Sequence, residues 1–170
     1  MMPGGKGGAN TQTGIHFERK TDLLTEIAKL RGFSVSGNDI QKNGATIAVN
    51  CQKHKLYKFL TGKKVDYKKV VSSILLPDEA LYVPTQNKMY IIEKKWQEGQ
   101  GSVDEKLQTC AYKKQYYAKL LEPLKIEAEY IYVLSDWFMQ KKYTDVLNYV
   151  ESCGCKYFFK ELPLKVLGLS

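Results

Sequence analysis

Several features that would assign this chain to a specialised class are missing from its sequence. Its uninterrupted apolar stretches, such as residues 74–76, are far shorter than the roughly 20 residues that cross a bilayer, so we expect no membrane association. Residues 1–10 contain no apolar segment of the kind that a secretory signal peptide requires, and we expect a cytoplasmic location. Histidine occurs only twice, and neither histidine nor cysteine shows the paired spacing of a structural zinc site.

Cysteine is also scarce, with four residues at positions 51, 110, 153 and 155. We predict that all four are free, reduced thiols. The spacing Cys153-Gly-Cys155 leaves a redox pair or half of a metal site as the alternative, although so short a motif readily arises by accident.

Length and composition indicate one folded domain. A chain of 170 residues can bury roughly 70% of its unfolded surface in a single core. Hydrophobic residues make up 44% of the chain, which is typical of a globular protein. We expect the glycine-rich residues 1–12 to form a flexible arm and residues 13–170 to form a single domain, with a basic insertion at about residues 50–73.

The net charge of +8 comes entirely from the first half of the chain, where residues 1–75 contain thirteen Lys or Arg and five acids. Its densest part has aromatic residues between the lysines, a composition that suits a polyanion. The alternative is a plain solvated face. The predicted DNA-binding lysines of this segment are Lys53, Lys55, Lys58, Lys63, Lys64, Lys68 and Lys69.

Hydrophobic periodicity predicts an α/β fold with a mixed central sheet flanked by helices. An amphipathic helix is predicted over residues 15–31, followed by short strands at 33–35 and 45–49. Two β-prone runs, at residues 75–83 and 89–95, are joined by a turn-like tetrapeptide at 84–87 and predict a hairpin. A capping box at Ser102 predicts a helix that ends before Pro123, followed by a strand at 130–134, a helix at 141–152 and a strand at 156–159.

Pairing across the hairpin turn brings charged side chains together. If Pro84 and Asn87 close a four-residue turn, Asp78 lies opposite Glu93. Because successive strand residues alternate between faces, Lys95 shares the side of Glu93 and Lys94 lies on the other side. Two like charges opposed across a ladder destabilise it, unless a cation lies between them.

Magnesium suits such a pair because it prefers oxygen ligands and keeps several of its waters. The coordination set of the ion would consist of Asp78, Glu93, a backbone carbonyl assigned to Lys94 and a phosphate oxygen. The ion would activate water and stabilise charge on a phosphodiester, while the Lys95 ammonium positions the nucleophile or the phosphate. We therefore predict phosphodiester hydrolysis that depends on Mg²⁺, with Mn²⁺ as an alternative ion.

One pattern in the chain consists of Pro77-Asp78, fourteen intervening positions and Glu93-Lys94-Lys95. This pattern resembles the signature of the PD-(D/E)XK nuclease superfamily. The predicted element order also resembles its αβββαβ core, in which the acidic pair lies on the second and third strands. Further patterns resemble type II restriction endonucleases in particular: Glu93-x-Lys95-x-Gln97, Gly101-Ser102-x-x-Glu105-Lys106 and Gly14-x-x-Phe17-Glu18.

This resemblance implies that Asp78 and Glu93 are metal ligands and that Lys95 is the catalytic lysine. It also implies that Glu18 is an auxiliary acid from the first helix and that Gln97 is a supporting residue. Separately, Lys106 and Lys113 lie seven residues apart on the predicted later helix and share a side. We predict that they contact DNA phosphate, with plain solvent exposure as the alternative.

The leading hypothesis is a type II restriction endonuclease that cuts double-stranded DNA at a specific sequence. We expect a homodimer, because a palindrome presents two equivalent half-sites. A structure-selective nuclease, such as a Holliday-junction resolvase, and a non-catalytic basic DNA-binding module are the alternatives. In the last case Asp78 is only a turn residue, and Glu93 and Lys95 are a solvated strand end.

Overall fold

Nine strands and six α-helices follow one another in the computed structural model, which describes residues 14–99 and 103–169. The strands are β1 (Gly14–His16), β2 (Phe33–Ser36), β3 (Asp39–Lys42), β4 (Ala45–Asn50), β5 (Glu79–Val83), β6 (Lys88–Lys95), β7 (Glu127–Leu134), β8 (Lys156–Phe159) and β9 (Glu161–Pro163). The helices are α1 (Leu23–Ala28), α2 (Lys55–Gly62), α3 (Tyr67–Val70), α4 (Val103–Lys106), α5 (Cys110–Leu121) and α6 (Thr144–Ser152). The predicted arm at residues 1–12 and the predicted capping residue Ser102 lie outside the described residues.

Seven of the strands form one mixed sheet in the order β2-β3-β4-β5-β6-β7-β8. Strands β2 to β6 pair antiparallel in sequence order, whereas β6, β7 and β8 are parallel to one another. The two parallel connections pass through α5 and α6, as parallel strands require a crossover. The predicted α/β class with a mixed sheet flanked by helices is confirmed.

Two hydrophobic cores cover the two faces of this sheet, and strand alternation assigns each residue of β6 to one of them. Met89 and Ile91 pack into the core that contains residues of α2, α5 and α6. Tyr90 and Ile92 pack into the core beneath α1 and the small sheet of β1 and β9. We call these the α5 face and the α1 face. Both faces of β6 are therefore covered by apolar side chains.

The predicted helix over residues 15–31 is wrong in its first half. Ile15 pairs with Leu162 of β9, and the side chains of Ile15 and Phe17 are fully buried. The helix begins only after Asp22, whose carboxylate accepts a hydrogen bond from the Thr25 N–H and caps the first turn. A distant strand partner therefore overrides the local helical spacing.

The β5–β6 hairpin has the register that the turn predicted. Five residue pairs run from Val83 opposite Lys88 to Glu79 opposite Ile92. The turn is a single 3₁₀ turn over Pro84–Gln86, and Asn87 closes it in the left-handed conformation at φ 50°. The first strand is shorter than predicted, since β5 begins at Glu79 rather than at residue 75.

The remaining predicted elements are present with shifted bounds. The basic segment contains α2 and α3, and the predicted later helix is interrupted by a 3₁₀ turn at Leu107–Thr109. Strand β3 was not predicted. In the described part of the chain, no helix has the length and apolar character needed to cross a membrane. All four cysteines are free thiols, as predicted.

Candidate active site

The end of the β5–β6 hairpin holds the three residues on which the sequence hypothesis depends. Asp78 immediately precedes β5, and Glu93 and Lys95 lie at the end of β6. Asp78 is half-buried, and its Oδ2 accepts a hydrogen bond from the backbone N–H of Lys94 at 3.0 Å. This bond ties the residue before β5 to the backbone of β6, one residue after Glu93.

Glu93 is buried on the α5 face between two lysine ammonium groups. Its Oε2 lies 2.6 Å from the Nζ of Lys95, which is two residues along the same strand and therefore on the same face. Lys113 reaches it from α5, and its Nζ lies 2.7 Å from Oε1 and 2.9 Å from Oε2. Both carboxylate oxygens thus accept charge-assisted hydrogen bonds.

These lysines determine the ionisation of Glu93. Burial raises the pKa of a carboxyl group, and the Glu93 side chain is only 7% exposed. The charges and hydrogen bonds of Lys95 and Lys113 outweigh burial, so the pKa of Glu93 lies below its ordinary value. Glu93 is therefore a charged carboxylate at neutral pH.

Tyr117 of α5 lies within electrostatic reach of both acids. Its side chain is buried, and burial is the largest cause of the raised pKa of its hydroxyl group. The negative charges of Glu93 and Asp78 raise this pKa further. The convergence of Asp78 and Glu93 on one cation stays a prediction, since the β5–β6 ladder ends at Glu79 and Ile92.

The donor set fits a cation that needs few protein ligands. Among the described residues, no group of three or more His, Cys, Asp or Glu side chains could hold a metal. Mg²⁺ is commonly bound by only one or two carboxylates and completes its shell with waters and substrate phosphate oxygens. Asp78 and Glu93 provide that number of carboxylates, but Glu93 would have to give up a lysine partner first.

Lys94 has a separate role on the α1 face. Its Nζ donates to the Thr21 carbonyl and lies 3.0 Å from Oε1 of the buried Glu79. The same Glu79 oxygen accepts the N–H of Leu23, the first residue of α1. The Lys94 side chain thus fixes α1 to the sheet, and sequence reasoning missed Glu79, its partner. Strand alternation could have paired them, because both point to the α1 face.

The two auxiliary residues that the resemblance implied lie in different surroundings. Glu18 is exposed in the loop between β1 and α1, rather than on a helix, because Phe17 belongs to the strand region. Gln97 is buried just after β6, and its backbone N–H donates to Ser135 Oγ at 3.1 Å. Its side-chain Nε2 donates to the Gly99 carbonyl, and its Oε1 is buried without a hydrogen-bond partner within residues 14–99 and 103–169.

The basic segment begins directly beside Asp78. The backbone N–H of Lys53 donates to the carbonyl of Pro77 at 3.0 Å. Further along, the hydroxyl groups of Tyr57 in α2 and Tyr116 in α5 lie 2.8 Å apart. The segment is therefore attached to the same face as Glu93. Of its seven predicted DNA-binding lysines, Lys55 is half-buried and six are exposed: Lys53, Lys58, Lys63, Lys64, Lys68 and Lys69.

Lys106 and Lys113 do not share an uninterrupted helix. Lys106 ends α4 and is exposed, whereas Lys113 lies in α5 beyond the 3₁₀ turn. The side chain of Lys113 is 24% exposed and bound to Glu93. Helical spacing alone could not reveal this contact, because it joins residues 20 apart on different elements.

Comparison with known proteins finds no matching family model, no matching curated protein and no matching solved structure. Function has to be inferred from the residues and their arrangement.

Proposed function

We propose that the protein is a metal-dependent endonuclease that hydrolyses phosphodiester bonds in double-stranded DNA, with Asp78, Glu93 and Lys95 at its reaction centre. The observation that carries this proposal is the position of Glu93. It is a charged, buried carboxylate at a strand end, held between two lysines. The Asp78 carboxylate is hydrogen-bonded to the next residue of the same strand, Lys94. The resemblance of these residues to the PD-(D/E)XK signature supports the same conclusion.

Each residue has a distinct task in this mechanism. Asp78 and Glu93 would hold the cation, Mg²⁺ or Mn²⁺, and a bound divalent cation supplies the Lewis acidity that phosphodiester hydrolysis requires. Lys95 is anchored on the rigid strand β6 with its side chain only 15% exposed, so its ammonium group is preorganised. It would stabilise the negative charge that develops on the phosphate oxygens in the transition state.

The basic segment would bind the DNA backbone next to this centre. Its first lysine, Lys53, is hydrogen-bonded to Pro77, so a duplex lying on the exposed lysines of the segment would pass close to Asp78. Lysine contacts of this kind give affinity and register but no sequence information. Lys106, which is exposed on α4, would extend the same contact.

The proposal extends to two further properties. The protein would recognise a specific DNA sequence, as type II restriction endonucleases do, and would assemble into a homodimer. These properties are supported by the resemblance of the residues around Glu93 and by the symmetry of palindromic sites. A cytoplasmic location also belongs to the proposal and fits four free thiols.

The test is cleavage of a supercoiled plasmid by the purified protein in Mg²⁺, in chelator and with Glu93→Gln. We expect discrete linear fragments in Mg²⁺ and intact plasmid in the other two reactions. Thermal melting of the variant confirms that it is folded. A smear of products would contradict sequence specificity, and an intact plasmid in every reaction would contradict the nuclease proposal.

One observation favours a second candidate, a non-catalytic DNA-binding module. Both oxygens of Glu93 are neutralised by lysines of the same chain, as in a purely structural ion-pair cluster. Gel-shift titrations distinguish the two functions. A binding module would bind a duplex equally well in Mg²⁺ and in chelator, and Asp78→Asn would leave its binding unchanged.

A further inference from the structure

We infer that Lys113 occupies the cation site in the absence of DNA and that a backbone phosphate of DNA draws it away. DNA and the divalent cation would then bind cooperatively. This inference rests on the proposed function and adds a positioning residue to it. Its basis is that Lys113, although predicted to contact DNA, bonds instead to both oxygens of the proposed ligand Glu93.

Charge balance gives the physical reason. Asp78 and Glu93 carry two negative charges, and Lys95 and Lys113 carry two positive charges, so the four side chains are neutral together. A divalent cation entering this group would meet two ammonium groups already bound to Glu93. Like charges at such distances repel strongly in a partly buried site. One lysine therefore has to leave before the cation can bind well.

Lys113 is better placed to leave than Lys95. Lys95 lies on the same strand as Glu93, and its side chain is 15% exposed. Lys113 approaches from α5, and its side chain is 24% exposed. A long flexible lysine stem at the edge of the site can turn outwards to a phosphate without any movement of the backbone.

The basic segment is attached to the helix that carries Lys113. Tyr116, the third residue after Lys113 in α5, is hydrogen-bonded to Tyr57 of the basic helix α2. DNA bound along the exposed lysines of the basic segment would thus lie on the face from which Lys113 reaches Glu93. Transfer of Lys113 from Glu93 to a phosphate keeps the lysine paired and frees Oε1 of Glu93, while Oε2 keeps its bond to Lys95.

The first test measures Mn²⁺ affinity without DNA, by electron paramagnetic resonance of the free ion. Lys113→Gln should bind Mn²⁺ about fivefold or more tightly than the wild-type protein. Lys119→Gln is the matched control, because it removes the same charge from an exposed position of the same helix. It should leave the Mn²⁺ affinity nearly unchanged. A merely structural role for Lys113 would weaken binding instead.

The second test adds a short duplex in a Lys95→Met background, in which hydrolysis should be disabled. Here DNA should raise Mn²⁺ affinity when Lys113 is present, and this increase should shrink at least fivefold when Lys113→Gln is added. If the wild-type protein cuts DNA but Lys113→Gln binds Mn²⁺ no more tightly than Lys119→Gln, the inference is overturned and the proposed function stands. If no protein takes up Mn²⁺ even with duplex, both are overturned.

Discussion

Lys94 and Lys95 are neighbours with the same side chain, yet replacing each with methionine should have different consequences. Lys94 faces Glu79 on the α1 face, whereas Lys95 faces Glu93 on the α5 face. Methionine keeps the length of the side chain and removes its charge. The comparison therefore isolates what each ammonium group contributes.

The expected loss of stability follows from the number of partners that each acid keeps. Glu79 is 4% exposed and has Lys94 as its ion-pair partner among the described residues. Lys94→Met leaves that carboxylate buried and unpaired, which costs about 3–5 kcal/mol. Glu93 keeps Lys113 when Lys95 is replaced. Lys95→Met should therefore cost only about 1.5–3 kcal/mol, the worth of a hydrogen bond to a charged group.

Thermal melting by circular dichroism, with urea unfolding at 25 °C, measures both values. In a chain of this size about 1 kcal/mol corresponds to roughly 2–4 °C, so Lys94→Met should lower Tm by roughly 6–20 °C. The double variant Glu79→Gln with Lys94→Met should recover part of this loss, since no charge is then left unpaired. Equal destabilisation by Lys94→Met and Lys95→Met, or a larger effect of Lys95→Met, would refute the assignment of the two lysines.

Three further predictions concern other parts of the molecule. Burial raises the pKa of Glu129, but the hydrogen bond and charge of Lys156 and the charge of Lys88 outweigh it and lower that pKa. These interactions therefore stabilise the folded protein at pH values above the pKa that Glu129 has in the unfolded chain. The stabilisation is lost as pH falls through the lower pKa of Glu129 in the folded protein. Unfolding free energies between pH 7 and pH 3 should thus fall less steeply for Glu129→Gln than for the wild type, and parallel curves would contradict this. Tyr116→Phe should cost about 1–3 kcal/mol in urea unfolding, because its hydroxyl group bonds Tyr57, the Ser73 carbonyl and the Leu75 N–H; an unchanged midpoint would contradict the prediction. Replacing Lys63, Lys64 and Lys68 with glutamine should lower the slope of log affinity against log salt by up to about three, whereas an unchanged slope would exclude this surface from DNA contact.

The hairpin could be predicted because its information is local. A four-residue turn fixes the register of both strands, and the register fixes which side chains share a face. The five pairs between β5 and β6 all follow this rule, but the ladder stops before the predicted pair of Asp78 and Glu93. The shared face of Glu93 and Lys95, and the opposite face of Lys94, follow from strand alternation alone.

The first helix was predicted to begin too early because its initial residues pair with a strand far away in the sequence. Residues 15–31 have helical spacing, but Ile15 and Phe17 are taken up by contacts with the β9 region, about 145 residues later. Glu18 therefore lies on a loop. Local periodicity does not record such a pairing, and tertiary contacts readily override helix propensity.

The contact between Lys113 and Glu93 could not be predicted for a related reason. It depends on how α5 packs across the sheet, and both residues are ordinary in their own local patterns. The sequence shows which strand positions face α5 but not which α5 residue meets them. Glu79 is the opposite case. Its position in the strand register could be read from the sequence, and only its burial could not.

A single-turnover cleavage assay can show whether Lys95 and Glu93 act on a phosphodiester bond, as proposed. Wild-type protein and Lys95→Met are each saturated with a cleavable duplex in Mg²⁺, after gel shifts have established equal occupancy. We expect a cleavage rate lower by about 10²-fold or more in Lys95→Met, with DNA binding changed only slightly. Equal cleavage rates at equal occupancy would contradict the proposal.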